Sequence, residues 1–237
     1  MSGIVLVCDH ASNLAPAELG NLGLPLAELE RHIGWDIGAA GVTRELSEIL
    51  GVQAVYSSVS RLVIDCNRQL DSVGLIPVVS DGTVVPGNQN LSEADRDARI
   101  TRWFTPYHDA VEAELARHED PIFVSIHTMT PVLAGEPRPW QIALSSFTDR
   151  RLTDPVLAAL RIPGDVTVGD NQPYDLDPAV DYSTPFHALR RGLLYLQVEF
   201  RQDEVASVAG QRLWAGRFAK ALTVAVNSSD PCWKPKT

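Results

Sequence analysis

The chain alternates between short apolar runs and longer stretches in which apolar residues recur at helical spacing. Runs that are apolar almost throughout are typical of strands covered on both faces of a sheet. On this basis we predict strands at 4–8, 52–59, 62–66, 122–126, 141–145, 166–168 and 193–200.

Helical spacing of apolar residues predicts helices between these strands. Ser92 and Asp95 resemble a capping box at the start of the longest one, in which Pro106 predicts a kink. The predicted helices cover 36–50, 93–117, 148–160 and 205–226. Alternating strands and helices favour an α/β fold, with a mixed, mostly parallel sheet flanked by helices in one three-layer domain over 1–227. The polar, proline-containing residues 228–237 predict a frayed tail.

Composition narrows the function classes. The 237 residues are 45% apolar and 21% charged, which is ordinary for a globular protein. No run approaches the roughly 18 apolar residues that span a bilayer, and we expect no membrane partner. Three cysteines without C-x-x-C spacing and the lack of a signal-peptide pattern predict a cytoplasmic protein. A net charge of −10 argues against a nucleic-acid partner, because phosphate binding needs a basic surface.

Polar side chains follow several predicted strands at the points where those strands end. In α/β sheets, ligands bind beyond the carboxyl ends of the strands, and these side chains are therefore the candidates for chemistry. They are Asp9, His10 and Asn13 after the first strand; Asp65, Asn67 and Arg68 after the third, which Arg61 precedes; His127 and Thr128; and Glu199, Arg201 and Asp203.

Two histidines and two carboxylates in this set match a zinc hydrolase site. A catalytic zinc takes three protein ligands and keeps one position open, and a separate carboxylate moves the proton of water. His10 and His127 are the predicted nitrogen ligands, Asp36 the oxygen ligand and Glu199 the general base. Asn13, at His-x-x-Asn spacing, competes with Asp36; because an amide oxygen is a weaker zinc ligand, we group Asn13 with the substrate-binding residues instead.

Each of these residues also has a purely structural interpretation. A histidine at a strand end is most often a hydrogen-bonded structural residue, and Asp36 at a helix start adds about 0.3–1 kcal/mol as a dipole partner. Arg61 and Arg68 are compatible with surface salt bridges. Glu199 is harder to explain this way, since an unpaired carboxylate inside a buried strand costs several kcal/mol. From the residues alone, the chain is an α/β protein with a candidate metal site.

The motifs taken together resemble the N-formylglutamate amidohydrolase family. CDHASN, HIGWDIGA, SRLVIDCNR, WFTPYH, SIHTMTP and LQVEFRQD occur in that family's order and cover about residues 4–221. The resemblance implies a fold similar to zinc carboxypeptidases and aspartoacylase-type deacylases, with an eight-stranded mixed sheet in one domain. It also implies zinc-dependent hydrolysis of N-formyl-L-glutamate to L-glutamate and formate, a late step of histidine degradation.

The resemblance also implies a ligand set. His10 and His127 match the family's two metal histidines. In zinc carboxypeptidases the carboxylate ligand follows the first histidine at short spacing, just before a helix. Here a loop at 14–31 is inserted before that helix, and Asp36 is similar to the displaced carboxylate. We expect one Zn²⁺ ion, although N and O ligands also accept other divalent metals.

Roles in catalysis follow from the same resemblance. Glu199 matches the general-base glutamate, which takes a proton from water and returns it to the leaving nitrogen. Arg61 is the predicted stabiliser of the oxyanion. Asn67 and Arg68 are similar to the Asn-Arg pair that binds a substrate carboxylate, and Arg201 is the predicted partner of a side-chain acid. The expected substrate is therefore a small anionic N-acyl amino acid.

One departure from the family pattern leaves alternatives open. Many members carry a Pro-His-Ser-Gly type sequence at the first histidine, whereas this chain has Asp-His-Ala-Ser-Asn. The chain therefore resembles a divergent branch. The alternatives are a zinc amidase for a different N-acyl or N-formimidoyl amino acid or a small peptide, and a non-enzymatic binding protein on the same fold.

Overall fold

Ten strands occur in the structure, a computed structural model that describes residues 3–227. They are β1 (Ile4–Cys8), β2 (Ala54–Tyr56), β3 (Val79–Ser80), β4 (Thr83–Val84), β5 (Ile122–Met129), β6 (Val132–Leu133), β7 (Glu136–Pro137), β8 (Ile142–Ser145), β9 (Val168–Asp170) and β10 (Leu194–Arg201). The tail predicted at 228–237 lies outside the described residues.

Six of these strands form the central sheet, in the order β2-β1-β5-β10-β8-β9. All neighbours in it are parallel except β10 and β8. The prediction of a mixed, mostly parallel sheet is confirmed, but the eight strands implied by the resemblance are wrong for the described residues. The remaining strands pair as two small hairpins, β3-β4 and β6-β7.

Helices cover both faces of the sheet, as the three-layer prediction requires. They are α1 (Leu26–Leu29), α2 (Ala39–Leu50), α3 (Glu93–Arg99), α4 (Thr105–Leu115), α5 (Thr153–Arg161), α6 (Ser183–His187) and α7 (Val208–Asn227). One face packs against α2, α5 and α7, and the opposite face against α4 and α6. No helix among residues 3–227 is long and apolar enough to cross a membrane.

Strand β10 shows how the sheet separates its two faces. Val198 and Phe200 point into the core with α7, where the Phe200 and Phe218 rings lie 5.8 Å apart. Burying side chains of this kind contributes about 1.5–3 kcal/mol each. Gln197 and Glu199 alternate with them and therefore point to the face covered by α4 and α6. One strand thus serves the core on one side and polar chemistry on the other.

The long helix predicted at 93–117 is interrupted. The amide of Asp95 donates to Ser92 Oγ at 3.1 Å, which confirms the capping box. A π-helical turn at Ile100–Phe104 separates α3 from α4. Pro106 lies just after that turn and has no N–H to donate, and a wider turn is a common response to such a missing bond.

The strand predicted at 62–66 is wrong. Leu62, Val63 and Ile64 are buried one after another in a second hydrophobic cluster, but their backbone forms turns instead of a ladder. The amide of Val63 donates to Ser60 O at 2.8 Å, for example. Because apolar neighbours surround this segment, consecutive residues in it are apolar, and the resulting pattern resembles that of a buried strand although no strand forms.

Candidate active site

A cavity of about 370 Å³ opens at the carboxyl ends of β1, β5 and β10. Its volume falls in the range of roughly 300–1,000 Å³ that is typical of small-molecule sites. The predicted residues His10, Asp36, Arg61, Asn67, Arg68, His127 and Glu199 all line it. The structure therefore brings most of the predicted site together at the place where α/β sheets bind ligands.

Strands and one returning loop position the central groups. His10 lies two residues after the end of β1, and His127 in β5 is the register partner of Glu199 in β10. The amide of Asp36 donates to the carbonyl of His10 at 3.0 Å, so the loop between them leaves the site and returns to it. Gly38 then leads into α2 with a φ of 87°, and a Cβ there would lie 2.6 Å from Val205. Glycine is therefore required at this turn.

His10, Asp36 and His127 place three donor atoms around one point. Asp36 Oδ2 lies 3.3 Å from His10 Nδ1 and 3.0 Å from His127 Nδ1, and the three ligand atoms all lie within 4.8 Å of one another. Two imidazole nitrogens and one carboxylate oxygen form a donor set that catalytic zinc commonly takes.

The second nitrogen of each imidazole faces another carboxylate. His10 Nε2 lies 2.7 Å from Asp65 Oδ1, and His127 Nε2 lies 3.1 Å from Asp9 Oδ2. Both Nε2 atoms must therefore carry a hydrogen to donate. A neutral ring then presents a lone pair at Nδ1 toward Asp36 Oδ2, which also offers only lone pairs. A cation at this point satisfies all three atoms, and carboxylate–histidine pairs of this kind orient metal ligands.

The charges of the cluster also fit a divalent cation. Asp9, Asp36 and Asp65 contribute three carboxylates, and Arg61 contributes one guanidinium. With neutral imidazoles the cluster keeps two negative charges, the number that a divalent ion or two protons would balance. The residues present therefore fit a metal of the zinc type.

The pKa shifts have the same origin. Burial opposes ionisation of Asp9, Asp36 and Asp65. The neighbouring imidazoles nevertheless hold the pKa of the Asp9 and Asp36 carboxyls well below the usual range, and Arg61 and His10 do the same for Asp65. Burial likewise opposes protonation of both imidazoles, yet their carboxylate partners raise the pKa of each. The site thus stabilises positive charge between carboxylates.

Glu199 is a buried carboxylate of the site without a hydrogen bond among residues 3–227. It is 5% exposed, and its side chain bonds to no other residue in the part of the chain that the structure describes. Burial raises the pKa of Glu199 to about 7. A base with a pKa near the working pH and no competing partner is suited to proton transfer.

The Asn67-Arg68 pair is joined to the loop that carries Asp181. Asn67 Nδ2 donates to Asp181 Oδ1 at 3.1 Å, and Asn67 Oδ1 accepts the amides of Tyr182 and Ser183. Arg68 uses Nη1 for Asn67 O and for Asp181 Oδ1. The side-chain amide of Asn67 therefore holds the loop in place, while Nη2 and Nε of Arg68 bond to no other residue among residues 3–227.

Two of the predicted substrate-binding residues do not line the cavity. The Arg201 guanidinium donates to Asp203 and Glu204 and to the carbonyl of Arg138. Asn13 is half-buried and lies outside the cavity lining. Arg138 lines the cavity instead, held by the Tyr174 hydroxyl at 2.6 Å.

Sequence reasoning missed the residues that support the site. Asp9 and Asp65 were noted at strand ends but not as partners of the two histidines. The available signal was an excess of carboxylates over cations at one edge of the sheet. The loop at 170–181 and the residues Arg138 and Gln197 also line the cavity, and none of them was among the predicted site residues.

Comparisons with known proteins agree with this geometry. Residues 2–206 match the model of the N-formylglutamate amidohydrolase family. The chain is similar to the crystal structure of a gene product from Agrobacterium tumefaciens, at 37% identity and a TM-score of 0.90 over 95% of this chain and 91% of that one. It shares its fold with N-formylglutamate amidohydrolase from Ralstonia eutropha, at 20% identity and a TM-score of 0.69 over 94% and 93% of the two chains. A search of curated proteins found no match.

Proposed function

The chain belongs to the N-formylglutamate amidohydrolase family, and from this premise we propose that it hydrolyses the amide bond of an N-acyl amino acid with a divalent metal. The proposed substrate is N-formyl-L-glutamate, cleaved to L-glutamate and formate in histidine degradation. The observation that carries the proposal is the cluster of His10, Asp36 and His127 in one cavity with Glu199, whose side chain has no hydrogen-bond partner among residues 3–227.

His10, Asp36 and His127 would hold the metal. Two imidazoles and a carboxylate favour zinc, although manganese or cobalt also accept such ligands. When bound, the ion polarises the amide carbonyl and lowers the pKa of water at the site. Asp65 and Asp9 keep each imidazole in the tautomer that leaves Nδ1 available.

Glu199 acts as the general base. It takes a proton from the attacking water and returns it to the leaving nitrogen, a role that typically contributes 10²–10⁴ in rate. Its position opposite His127 in the ladder, its pKa of about 7 and its lack of a hydrogen-bond partner among the described residues support this role.

The arginines position the substrate. Arg68 donates through Nη1 to protein, and within residues 3–227 its Nη2 and Nε have no acceptor, which leaves two donors for the substrate carboxylate. Arg61 lies between Asp36 and Asp65 and adds positive charge where the carbonyl oxygen becomes negative. A donor in that role is typically worth about 3–4 kcal/mol.

The charges that line the cavity support a metal requirement for an anionic substrate. The arginines are Arg61, Arg68 and Arg138, and the carboxylates are Asp36, Asp175, Asp177, Asp181 and Glu199. Three positive and five negative groups leave an excess of two negative charges. A divalent ion balances this excess, so metal loading and binding of an anionic N-acyl amino acid are expected to depend on each other.

A second candidate substrate is an N-formimidoyl amino acid. Asp175 and Asp177 line the cavity wall, and a cationic formimidoyl group would pair with them where a neutral formyl group would not. The two candidates share the metal cluster and Glu199, and differ only in the acyl group.

The test measures release of the free amino acid from N-formyl-L-glutamate, N-formimidoyl-L-glutamate, N-acetyl-L-glutamate and a small peptide by the zinc-loaded protein. The first is expected to be the best substrate, and treatment with a chelator is expected to abolish turnover until zinc is restored. Preference for the formimidoyl compound would select the second candidate. Absence of turnover on all four would contradict the proposal.

A further inference from the structure

Gln197 is a buried amide that the protein itself leaves without a partner. It is 4% exposed, and its Oε1 has no hydrogen-bond partner among residues 3–227. Two hydroxyls, of Thr153 and Thr184, share this property in the described chain, but neither residue lines the cavity, whereas Gln197 does. Buried polar groups are normally paired, so an unpaired one facing a cavity indicates a partner that enters from outside.

The position of Gln197 along β10 makes it the floor of the cavity. Tyr195, Gln197 and Glu199 alternate onto the same face of the strand, and Gln197 lies two residues, or about 7 Å, below Glu199. Tyr195, the next residue down, belongs to the hydrophobic core. Gln197 is therefore the last polar side chain between the catalytic level and the core.

The neighbours of Gln197 in the sheet are already occupied. Its register partners are Ser125 in β5 and Ser145 in β8. The Ser125 hydroxyl donates to Asp9 at 3.0 Å, and the Ser145 hydroxyl donates to the carbonyl of Tyr174 at 2.7 Å. The floor is thus polar and uncharged, and its one uncommitted group is the Gln197 carboxamide.

The length of a substrate decides which part of it reaches this floor. The scissile amide must lie beside Glu199, and a formyl group has no atoms that extend further. The side chain of a leaving glutamate or glutamine continues four bonds beyond the amide nitrogen, about 5 Å when extended. With a hydrogen bond of about 2.9 Å, its tip reaches a group about 7 Å below Glu199.

We propose that Gln197 recognises the tip of the side chain of the leaving amino acid and selects tips that are carboxamides or carboxylates over apolar ones. This inference rests on the proposed function. A carboxamide both donates and accepts hydrogen bonds. Rotation about its terminal bond therefore lets Gln197 bond to either a carboxamide or a carboxylate at the end of the substrate side chain. An apolar side chain of the same length leaves Gln197 unpaired, and this is expected to lower kcat/KM roughly ten- to hundredfold.

The experiment compares the zinc-loaded wild type with Gln197→Leu on N-formyl-L-glutamate, N-formyl-L-glutamine and N-formyl-L-norleucine. In the wild type we expect both polar substrates to exceed norleucine by at least roughly tenfold in kcat/KM. Gln197→Leu is expected to remove most of this preference, mainly through a higher KM for the two polar substrates. Gln53→Leu, an exposed glutamine elsewhere, is the matched control and keeps the wild-type preference. An unchanged preference in Gln197→Leu would overturn the inference.

Two further measurements separate this inference from the proposed function and from misfolding. Calorimetric binding of free L-glutamine, L-glutamate and L-norleucine requires no turnover; if no N-acyl substrate is cleaved, loss of the polar preference in Gln197→Leu still supports the inference. Gln197→Glu preserves size and is expected to retain L-glutamine but to weaken L-glutamate at least roughly tenfold by like-charge repulsion. Equal binding of both amino acids by this variant would also overturn it.

Discussion

Two buried histidine pairs in this protein have the same spacing and opposite chemistry. The rings of His10 and His127 have centroids 5.1 Å apart, and so do the rings of His108 and His187. The first pair lines the cavity at the carboxyl edge of the sheet, and the second joins helix α4, which carries His108, to helix α6, which carries His187. Spacing between histidines therefore does not identify a metal site in this fold.

The difference lies in the groups around the rings. Three carboxylates face the first pair, from Asp9, Asp36 and Asp65, and they raise the pKa of both imidazoles against the effect of burial. In the second pair, His108 is held by His187 and by the carbonyl of Cys66.

Glu112 is the one carboxylate bonded to that second pair within the described chain, and it also binds Arg191. Burial and the charge of His187 lower the pKa of His108 to about 3. The number of neighbouring carboxylates therefore distinguishes the two pairs, and the surroundings of His10 and His127 favour positive charge more strongly.

The largest expected difference between the two pairs comes from removing one histidine of each. His127→Ala removes a proposed metal ligand and is expected to lose the bound metal, with activity falling by at least about 10³-fold, since both the ion and the tautomer-fixing network are lost. His187→Ala is expected to keep its metal. Metal content by mass spectrometry and turnover on the same samples test this; loss of metal from both variants alike would contradict the contrast.

Glu199→Gln tests the role of the proposed base independently of metal binding. The substitution preserves shape and is expected to retain about one metal per chain while kcat falls by about 10²–10⁴-fold, because the proton acceptor is removed. KM is expected to change little. Steady-state kinetics with parallel metal analysis give the result, and an unchanged kcat would exclude Glu199 as the base.

Asp65→Asn tests the carboxylate that orients His10 at 2.7 Å. The amide can still reach the ring, but it carries no charge, and metal affinity is expected to fall about 10–100-fold. Glu112→Gln, which changes the carboxylate of the other pair, is the matched control and is expected to keep wild-type affinity. Competition with a chromogenic chelator measures both, and equal losses would show that neither carboxylate acts on the metal specifically.

The smallest expected effect is the contribution of the His108-His187 pair to the pH dependence of the free energy of unfolding. The pKa of His108 is about 3 in the folded protein and 6.5 in the unfolded chain, so the unfolded chain binds more protons between these values. The contribution of His108 to stability is therefore complete above about pH 6.5 and is lost as the pH falls toward 3. His108→Gln is expected to flatten this dependence, as measured by urea unfolding at pH 7 and pH 5; a slope identical to wild type would contradict it.

Patterns along the chain predicted the parts of the fold that depend on local order. The strands β1, β5 and β10 were predicted because their apolar runs are continuous, and the histidines and glutamate of the site followed from reading the ends of those strands. The family resemblance, based on six short motifs in order, is confirmed by the match over residues 2–206. Chemistry anchored to regular strands was therefore accessible from sequence.

Contacts made by irregular segments were not accessible. The segment at 62–66 is as apolar as a strand because it is buried on every side, and only the structure shows its turns. Arg138 follows the β6-β7 hairpin, and its place in the cavity lining depends on how that hairpin folds back, which sequence spacing does not encode. Arg201, predicted to contact substrate, is instead held by neighbouring carboxylates.

The most direct test of the central claim is anomalous diffraction from a crystal of the protein loaded with zinc. We expect one strong peak per chain, surrounded by His10, Asp36 and His127, with ligand distances of about 2.0–2.2 Å. No peak is expected between His108 and His187. A zinc peak at the second pair, or an empty first site at saturating zinc, would contradict the assignment of the metal centre.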